Sequence, residues 1–207
     1  MLTALLDGRA LPAGELAFQA WVSPQTASSH LSKLVAGKLL SRERHGRHRY
    51  YKLAGPEVGH ALETLFTLAP MSAAPRKHLN DTQGAIRLAR TCYDHLAGRL
   101  GVQLTEALIN KELIVPKDLH YSVTEKGEKW LAEFGLHLDS LRHTRRVFAK
   151  QCLDWTERQH HLAGELGAAV LERLFEQKWI ARVKGERSVR VTVHGRDMFL
   201  KAFDIKS

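Results

Sequence analysis

A seven-residue motif that occurs twice constrains the fold more than any other feature of this chain. His95-Leu96-Ala97-Gly98-Arg99-Leu100-Gly101 returns as His161-Leu162-Ala163-Gly164-Glu165-Leu166-Gly167, 66 residues further on. At the same offset Glu106 meets Glu172, Leu108 meets Leu174 and Ile114 meets Ile180. Shortly after, Val123-Thr124 with Gly127 returns as Val191-Thr192 with Gly195. A Cys-x-Asp precedes each copy, Cys92-Tyr93-Asp94 and Cys152-Leu153-Asp154, and the second copy carries an insertion around Trp155–His160. Each unit reads as helix, helix, strand or hairpin, helix. Two copies are too few for a solenoid. The expectation is a pseudo-symmetric block over residues 80–207, with units at about 86–136 and 146–205 and a core or ligand site between them.

The remainder divides in two. Residues 70–79 contain two prolines and little periodicity, and read as a linker. Residues 1–69 show short helical patterns, a basic hairpin and one more helix. Pro12–Ala20 is a short helix, Trp21-Val22 a tight connection, and Ser23-Pro24 a strong helix start, since Ser is a favoured N-cap and Pro suits the first helical position. That second helix runs through Ala36 and stops at Gly37. Helix, turn, helix is the outcome.

At 100° per residue, Ala27, Leu31, Leu34 and Val35 share one side of the second helix and should pack inward. Gln25, Thr26, Ser28, Ser29, His30, Ser32 and Lys33 occupy the rest, and no acidic residue stands between Ser23 and Lys38. Such a face can enter a major groove without repelling phosphate, with Gln suited to adenine and Ser or Thr to bases or backbone. The next segment, Leu39–Leu53, alternates as two strands. Arg42, Arg44, Arg47, Arg49 and Lys52 set five positive charges there against the single Glu43. Arginines on a hairpin tip can reach phosphates or a minor groove. The chain as a whole is basic, 31 Lys and Arg against 22 Asp and Glu for a net +9, which fits a polyanionic partner. Each feature has a blander reading: a solvated helix face, and a charged hairpin that discourages edge aggregation. The two side by side favour double-stranded DNA.

From Val22-Ser23-Pro24-Gln25 to Leu34, then Gly37-Lys38-Leu39-Leu40 and Arg44-His45-Gly46-Arg47-His48-Arg49-Tyr50-Tyr51-Lys52-Leu53, the chain resembles the ArsR family of winged-helix regulators. The resemblance covers about Leu2–Leu68, a third of the chain. It implies a homodimeric repressor that binds a palindromic operator and lets go when an effector arrives. It also implies that the helix Pro56–Ala69 belongs to the dimer interface, where Val58, Leu62, Leu65 and Phe66 recur at helical spacing. Two departures stand out. Met1-Leu2-Thr3-Ala4-Leu5-Leu6 falls where the family's second helix would be, so either the start is assigned late or another segment, such as the C-terminal block, replaces the first helix. Glu15–Ala20 has no cysteine pair, the metal-sensing feature of some members. His60 and Glu63 form a fragment of another metal site without its partners, and read as solvated surface residues.

The fold expected is thus mainly α with small β-hairpins (α+β), a winged helix-turn-helix followed by a C-terminal domain of two winged-helix-like units for effector binding or dimerisation. No apolar run approaches the roughly eighteen residues of a membrane span, and the N-terminus lacks a leader pattern, so a cytoplasmic protein with reduced thiols is expected. No cofactor and no metal site are expected, because the spacings of Cys92, Cys152, His95 and His160-His161 match no standard zinc pattern. The two cysteines read as buried thiols at equivalent repeat positions, and Asp94 and Asp154 as partners of Arg90 and Arg158. Redox or metal sensing through Cys92 and Cys152 is the first alternative. An enzyme with chemistry on Cys92, Asp94 and His95 is another, and a protein-interaction module a third. Gly98 and Gly101 do not make a dinucleotide loop, for want of a preceding strand and a third glycine. Tyr93, Trp130, Phe134, Trp155 and Trp179 could line an effector pocket but read more simply as core. The hairpin Trp179–Val193, with Arg182, Lys184, Arg187 and Arg190, resembles a second wing and reads as a solvated edge.

Overall fold

The computed structural model describes residues 1–45, 48–68, 81–142 and 146–206. Its fold is α+β, helices interleaved with small antiparallel sheets. The 70–79 linker, Gly46 and Arg47 lie outside the described residues.

A single 3-10 turn, Leu2–Leu5, leads to β1 (Leu11–Pro12) and α1 (Ala13–Gln19). Trp21 adopts a left-handed φ of 54° and turns the chain. Ser23 then caps α2 (Pro24–Ala36), its hydroxyl oxygen accepting the Thr26 N–H at 3.2 Å. At the other end Gly37 keeps an ordinary φ, and Lys38 takes the left-handed conformation instead. The Leu39 N–H reaches back to the Leu34 carbonyl at 2.9 Å and closes the helix. Strands β2 (Leu40–His45) and β3 (His48–Leu53) form the hairpin, with β1 added to β3, and α3 (Pro56–Leu68) follows. Leu5, Leu11, Leu16, Leu31, Leu40 and Tyr51 make the core of this part. Ala27 and Leu31 are buried, while Leu34 and Val35 are half-buried against that core. The inward side of α2 is the one its periodicity indicates.

The C-terminal block repeats one order of elements. It opens with α4 (Asp81–Leu88), the hairpin β4 (Arg90–Cys92) and β5 (His95–Ala97), α5 (Gly98–Asn110), the hairpin β6 (Ile114–Lys117) and β7 (His120–Val123), and α6 (Glu125–Glu133). Then come α7 (Leu138–Arg142), β8 (Lys150–Leu153) and β9 (His160–Ala163), α8 (Gly164–Glu176), β10 (Ile180–Arg182) and β11 (Val189–Val191), and α9 (Val193–Phe203). Thr124 and Thr192 cap α6 and α9 in the same way, accepting the N–H of Gly127 at 3.0 Å and of Gly195 at 2.8 Å. The first hairpin of each run is absent from the sequence reading, because strands of three or four residues are too short to show alternation.

The runs exchange edges. Tyr121 donates its N–H to the Ala149 carbonyl at 2.9 Å, tying the second hairpin of the first run to the first hairpin of the second. Val189 donates to the Ala89 carbonyl at 3.0 Å and makes the reciprocal tie. One core therefore draws on both, including Leu100, Leu108 and Leu131 with Leu166, Leu174 and Phe199. Trp130, Phe134, Trp179, Phe199 and Phe203 form its aromatic centre. Each buried side chain of this size contributes about 1.5–3 kcal/mol. Gly98 and Gly164 open α5 and α8 at φ +77° and +78°, and a Cβ there would stand 2.8 Å from the Arg87 carbonyl oxygen and 2.5 Å from that of Val147. Only glycine fits, which accounts for the Ala-Gly step in both copies of the motif.

Candidate nucleic-acid interface and a buried cysteine-histidine cluster

All seven polar residues singled out on α2, from Gln25 to Lys33, are exposed. Two hydroxyls have local partners: Thr26 Oγ1 lies 3.0 Å from Ser23 Oγ, and Ser32 Oγ donates to the Ser28 carbonyl at 2.9 Å. Gln25, Ser29 and Lys33 follow one another at a spacing of four and share a line along the helix. In the adjoining hairpin, Leu40 faces Leu53, Arg42 faces Tyr51 and Arg44 faces Arg49. Directly opposed side chains, and those two residues apart, lie on one side of the ribbon. That side starts in the N-terminal core at Leu40 and Tyr51 and ends in exposed arginines. On the other side, Lys52 forms an ion pair with Glu43. Arg47 lies outside the described residues.

Helix α3 corrects one expectation. Glu63 is not solvated but buried, at 5% exposure, because α3 lies against the C-terminal block. Its carboxylate accepts from Arg187 Nη2 at 2.9 Å, Trp155 Nε1 at 3.0 Å and Cys92 Sγ at 3.2 Å, with Arg90 Nε at 3.4 Å. Burial opposes its charge, yet Arg187 and Arg90 prevail and hold its pKa below the usual value. Arg187 is likewise no solvated edge residue, since it also donates to the carbonyls of Leu6 at 3.2 Å and Thr91 at 2.8 Å. It stitches the N-terminal turn, α3 and β4 together. Val58, Leu62 and Phe66 are half-buried, and Phe66 packs on Trp155 at 5.6 Å between ring centroids. Leu65 and Leu68 remain 61% and 78% exposed.

Beneath Glu63 the two first hairpins meet. Cys92 stands opposite His95 across β4–β5, and Cys152 opposite His161 across β8–β9. The edge exchange brings the four together: their thiol sulfurs and ring nitrogens all lie within 4.8 Å of one another. His95 Nε2 faces His161 Nε2 at 3.1 Å, the rings stacked at 5.0 Å. The spacing argument against a metal site missed this because it counted along the chain, whereas the ligands converge across the two halves.

Aspartates back both imidazoles. Asp94 Oδ1 accepts from His95 Nδ1 at 3.3 Å, and Asp154 Oδ2 stands 3.9 Å from His161 Nδ1. Asp154 pairs with Arg90 at 3.0 Å and Asp94 with Arg146 at 2.6 Å, which departs from the expected pairing of Asp94 with Arg90 and Asp154 with Arg158; Arg158 meets Asp154 through its backbone N–H, which donates to the Asp154 carbonyl at 2.9 Å. Burial opposes the Asp154 charge, but Arg90, Thr156 and the Gly98 N–H hold its pKa down at about 2. Burial pushes the His161 pKa down; at His95 burial is outweighed by hydrogen bonds to Asp94 and Cys92, which raise it. The neighbouring Cys152 thiol, with burial, raises Cys92, while the proximity of Cys92 lowers Cys152. A buried thiol with a raised pKa is a poor nucleophile, which weighs against enzyme chemistry on Cys92. Strand β5 does run into Gly98, contrary to expectation, but the Gly98 N–H bonds Asp154 at 2.8 Å and the third glycine is still missing.

A cavity of about 450 Å³ opens beside the cluster, bordered by His60, Tyr93, His95, Arg146 and Cys152. A second of about 230 Å³ reaches Cys92, Cys152 and His161 from the side of Glu63 and Trp155. Among the described residues no helix is long and apolar enough to cross a membrane.

No protein-family model matches the chain. It is similar to the uncharacterized HTH-type transcriptional regulator YdfF of Bacillus subtilis (strain 168), 44% identical over 206 residues that span 100% of this chain and 91% of that protein. An identity of that size along the whole length, joined to a capped helix-turn-helix with a basic hairpin beside it, makes this chain a member of the family of HTH-type transcriptional regulators.

Proposed function

We propose that this chain is a sequence-specific, homodimeric DNA-binding repressor of the ArsR type, released from its operator by an effector. Helix α2 enters the major groove and the β2–β3 hairpin lies along the flanking backbone. The observation that carries this reading is the exposed, acid-free side of α2 next to the row Arg42, Arg44 and Arg49. Arg44 and Arg49 stand directly opposite each other, so the hairpin sets two positive charges side by side where a phosphate can meet both. Gln25, Ser29 and Lys33 are the side chains for base contact; Thr26 and Ser32 have hydroxyls engaged in the helix and suit backbone contacts or none.

The reader occupies residues 1–69, and 70–79 joins it to a duplicated block, 80–207, that serves effector binding and dimerisation. Matching element order, caps and helix-opening glycines support the duplication. The cavity bordered by His60 and Arg146 is the natural place for an effector. For the dimer, Val58, Ala61, Leu65 and Leu68 recur at i, i+3, i+7 and i+10 on the outer side of α3. Leu62 flanks that stripe, whereas Phe66 packs on Trp155 of its own chain.

Fluorescence anisotropy with a duplex from the chain's own promoter and a shuffled duplex tests the reading. Affinity for the promoter should exceed that for the shuffled sequence and fall steeply with salt. Gln25→Ala should narrow the gap by about tenfold, while Arg49→Ala weakens both duplexes alike and flattens the salt slope by about one. Equal affinity of the unaltered protein for both duplexes refutes it.

A further inference from the structure

We infer that Cys92, His95, Cys152 and His161 bind a single divalent transition-metal ion of the zinc class, two ligands from each half of the C-terminal block. Four donors within 4.8 Å of one another are the right number and type for a tetrahedral Cys2His2 site. The histidines are held for it. A carboxylate only accepts, so Asp94 fixes the His95 proton on Nδ1 and leaves Nε2 a lone pair. Asp154 stands 3.9 Å from the His161 Nδ1, beyond hydrogen-bond distance, and that nitrogen is buried without a hydrogen-bond partner. The two Nε2 atoms face each other at 3.1 Å. With His161 protonated on Nδ1, towards the Asp154 charge, both Nε2 atoms present lone pairs that a metal ion between them satisfies; the other His161 tautomer puts a single proton there instead. Carboxylate, imidazole and metal in line is the usual support of a histidine ligand. The two sulfurs in the same space decide against a bare proton, because thiolates select a borderline-soft metal over calcium or magnesium.

The balance suits a buried site. One M²⁺ displaces two thiol protons, and with two thiolates and two neutral imidazoles the centre is uncharged. That avoids the large cost of an isolated buried charge. One displaced proton is the one Cys92 donates to Glu63 Oε2 at 3.2 Å. Binding therefore removes an attachment of α3 and sets a thiolate beside its carboxylate. His60, on the same helix, shares a second three-donor group with Glu63 and Cys92. The metal site is thus coupled to the helix that follows the hairpin. This coupling rests on the regulator reading; the site does not.

The test is titration of the full chain, reduced and stripped with chelator, with Co²⁺ and then Zn²⁺. Expected are one Co²⁺ per chain, visible bands of tetrahedral cobalt with thiolate charge transfer, release of two protons, and displacement by Zn²⁺. Cys152→Ser and His161→Asn should each abolish the bands. If either fails to fold by circular dichroism, protection by Zn²⁺ of the half-buried Cys152 thiol from alkylation in the unaltered chain serves instead. A folded, reduced chain that takes up no stoichiometric cobalt, or shows the same bands without Cys152, overturns the site. So does a Cys152 that is alkylated equally fast with and without Zn²⁺. Promoter affinity measured with and without Zn²⁺ tests the coupling: a change of tenfold or more supports it, and equal affinity overturns it while leaving the site. Failure to prefer the promoter in either state is failure of the regulator reading alone.

Discussion

The contact between α3 and the C-terminal block hangs on Arg187 and Glu63, and a double-mutant cycle on the pair measures it. Arg187→Met keeps most of the aliphatic packing and removes the guanidinium. Lost are a charge-assisted hydrogen bond to a buried carboxylate, about 1.5–3 kcal/mol, and bonds to the Leu6 and Thr91 carbonyls, about 1 kcal/mol each. Arg187 is 20% exposed, so water recovers part of this, and Glu63 retains Arg90 and Trp155. The net expectation is about 3 kcal/mol, or about 6–12 °C in Tm for a chain of this size. Glu63→Gln keeps the shape but strips both arginines of their carboxylate, and should cost about 2–4 kcal/mol. The double variant removes one shared interaction once, so its cost should fall short of the sum by at least about 1 kcal/mol. Urea unfolding followed by circular dichroism reads all four corners. Additivity within about 0.5 kcal/mol, or a cost below about 1 kcal/mol for Arg187→Met, refutes the docking argument.

Other changes probe the block itself. Asp154→Asn should destabilise by about 2–4 kcal/mol, because Oδ2 accepts from Arg90 and Gly98 and Oδ1 from Thr156 and Glu157, so an amide in either orientation turns its NH2 towards donors. Its carboxyl is depressed from 3.8 to about 2, so its contribution is complete above pH 4 and is lost as pH falls through 2; the unaltered chain should therefore lose about 2 kcal/mol over that window that Asp154→Asn does not. Gly164→Ala forces a side chain into a left-handed position 2.5 Å from the Val147 oxygen and should cost more than about 2 kcal/mol by the same unfolding assay. Leu65→Asp should abolish self-association in sedimentation velocity without lowering Tm, since the side chain is 61% exposed within one chain; a persistent dimer refutes the α3 interface.

What was legible in the sequence was local. The Ser23-Pro24 start, the 3.6 period of α2 and the alternation of the hairpin each depend on neighbours within a turn or two, and the structure places Ala27 and Leu31 inside accordingly. The repeat was legible as a pattern, but the exchange of hairpins between its copies was not, because that pairing is set by hydrogen bonds between distant strands. Glu63 illustrates the same limit: on a helix beside His60 it looks solvated, and only the placement of Arg90, Arg187 and Trp155 reveals why a carboxylate is buried there. For the cysteines and histidines one signal was present. Cys, Asp and His recur together in both copies, while the Cys-to-His spacing differs between them. Spacing along the chain hides such a site; the recurrence of a chemically able set in both halves of a repeat points to it.

Helix α3 is where these features bear on one another. It carries Glu63 on its inner side and, two residues on, Leu65 on its outer side. A helix is stiff over this distance, so a rotation that relieves Glu63 must swing Leu65 and Leu68 by the same angle. In the proposed dimer, the geometry of the α3 contact and the state of the block are then not independent. Glu63→Gln should accordingly alter the dimer dissociation constant as well as stability, although Glu63 is buried within one chain and cannot touch a partner directly. Sedimentation equilibrium of the folded variant decides it. A dissociation constant shifted severalfold or more supports transmission through α3, and one unchanged within error shows that the inner and outer sides of the helix act separately.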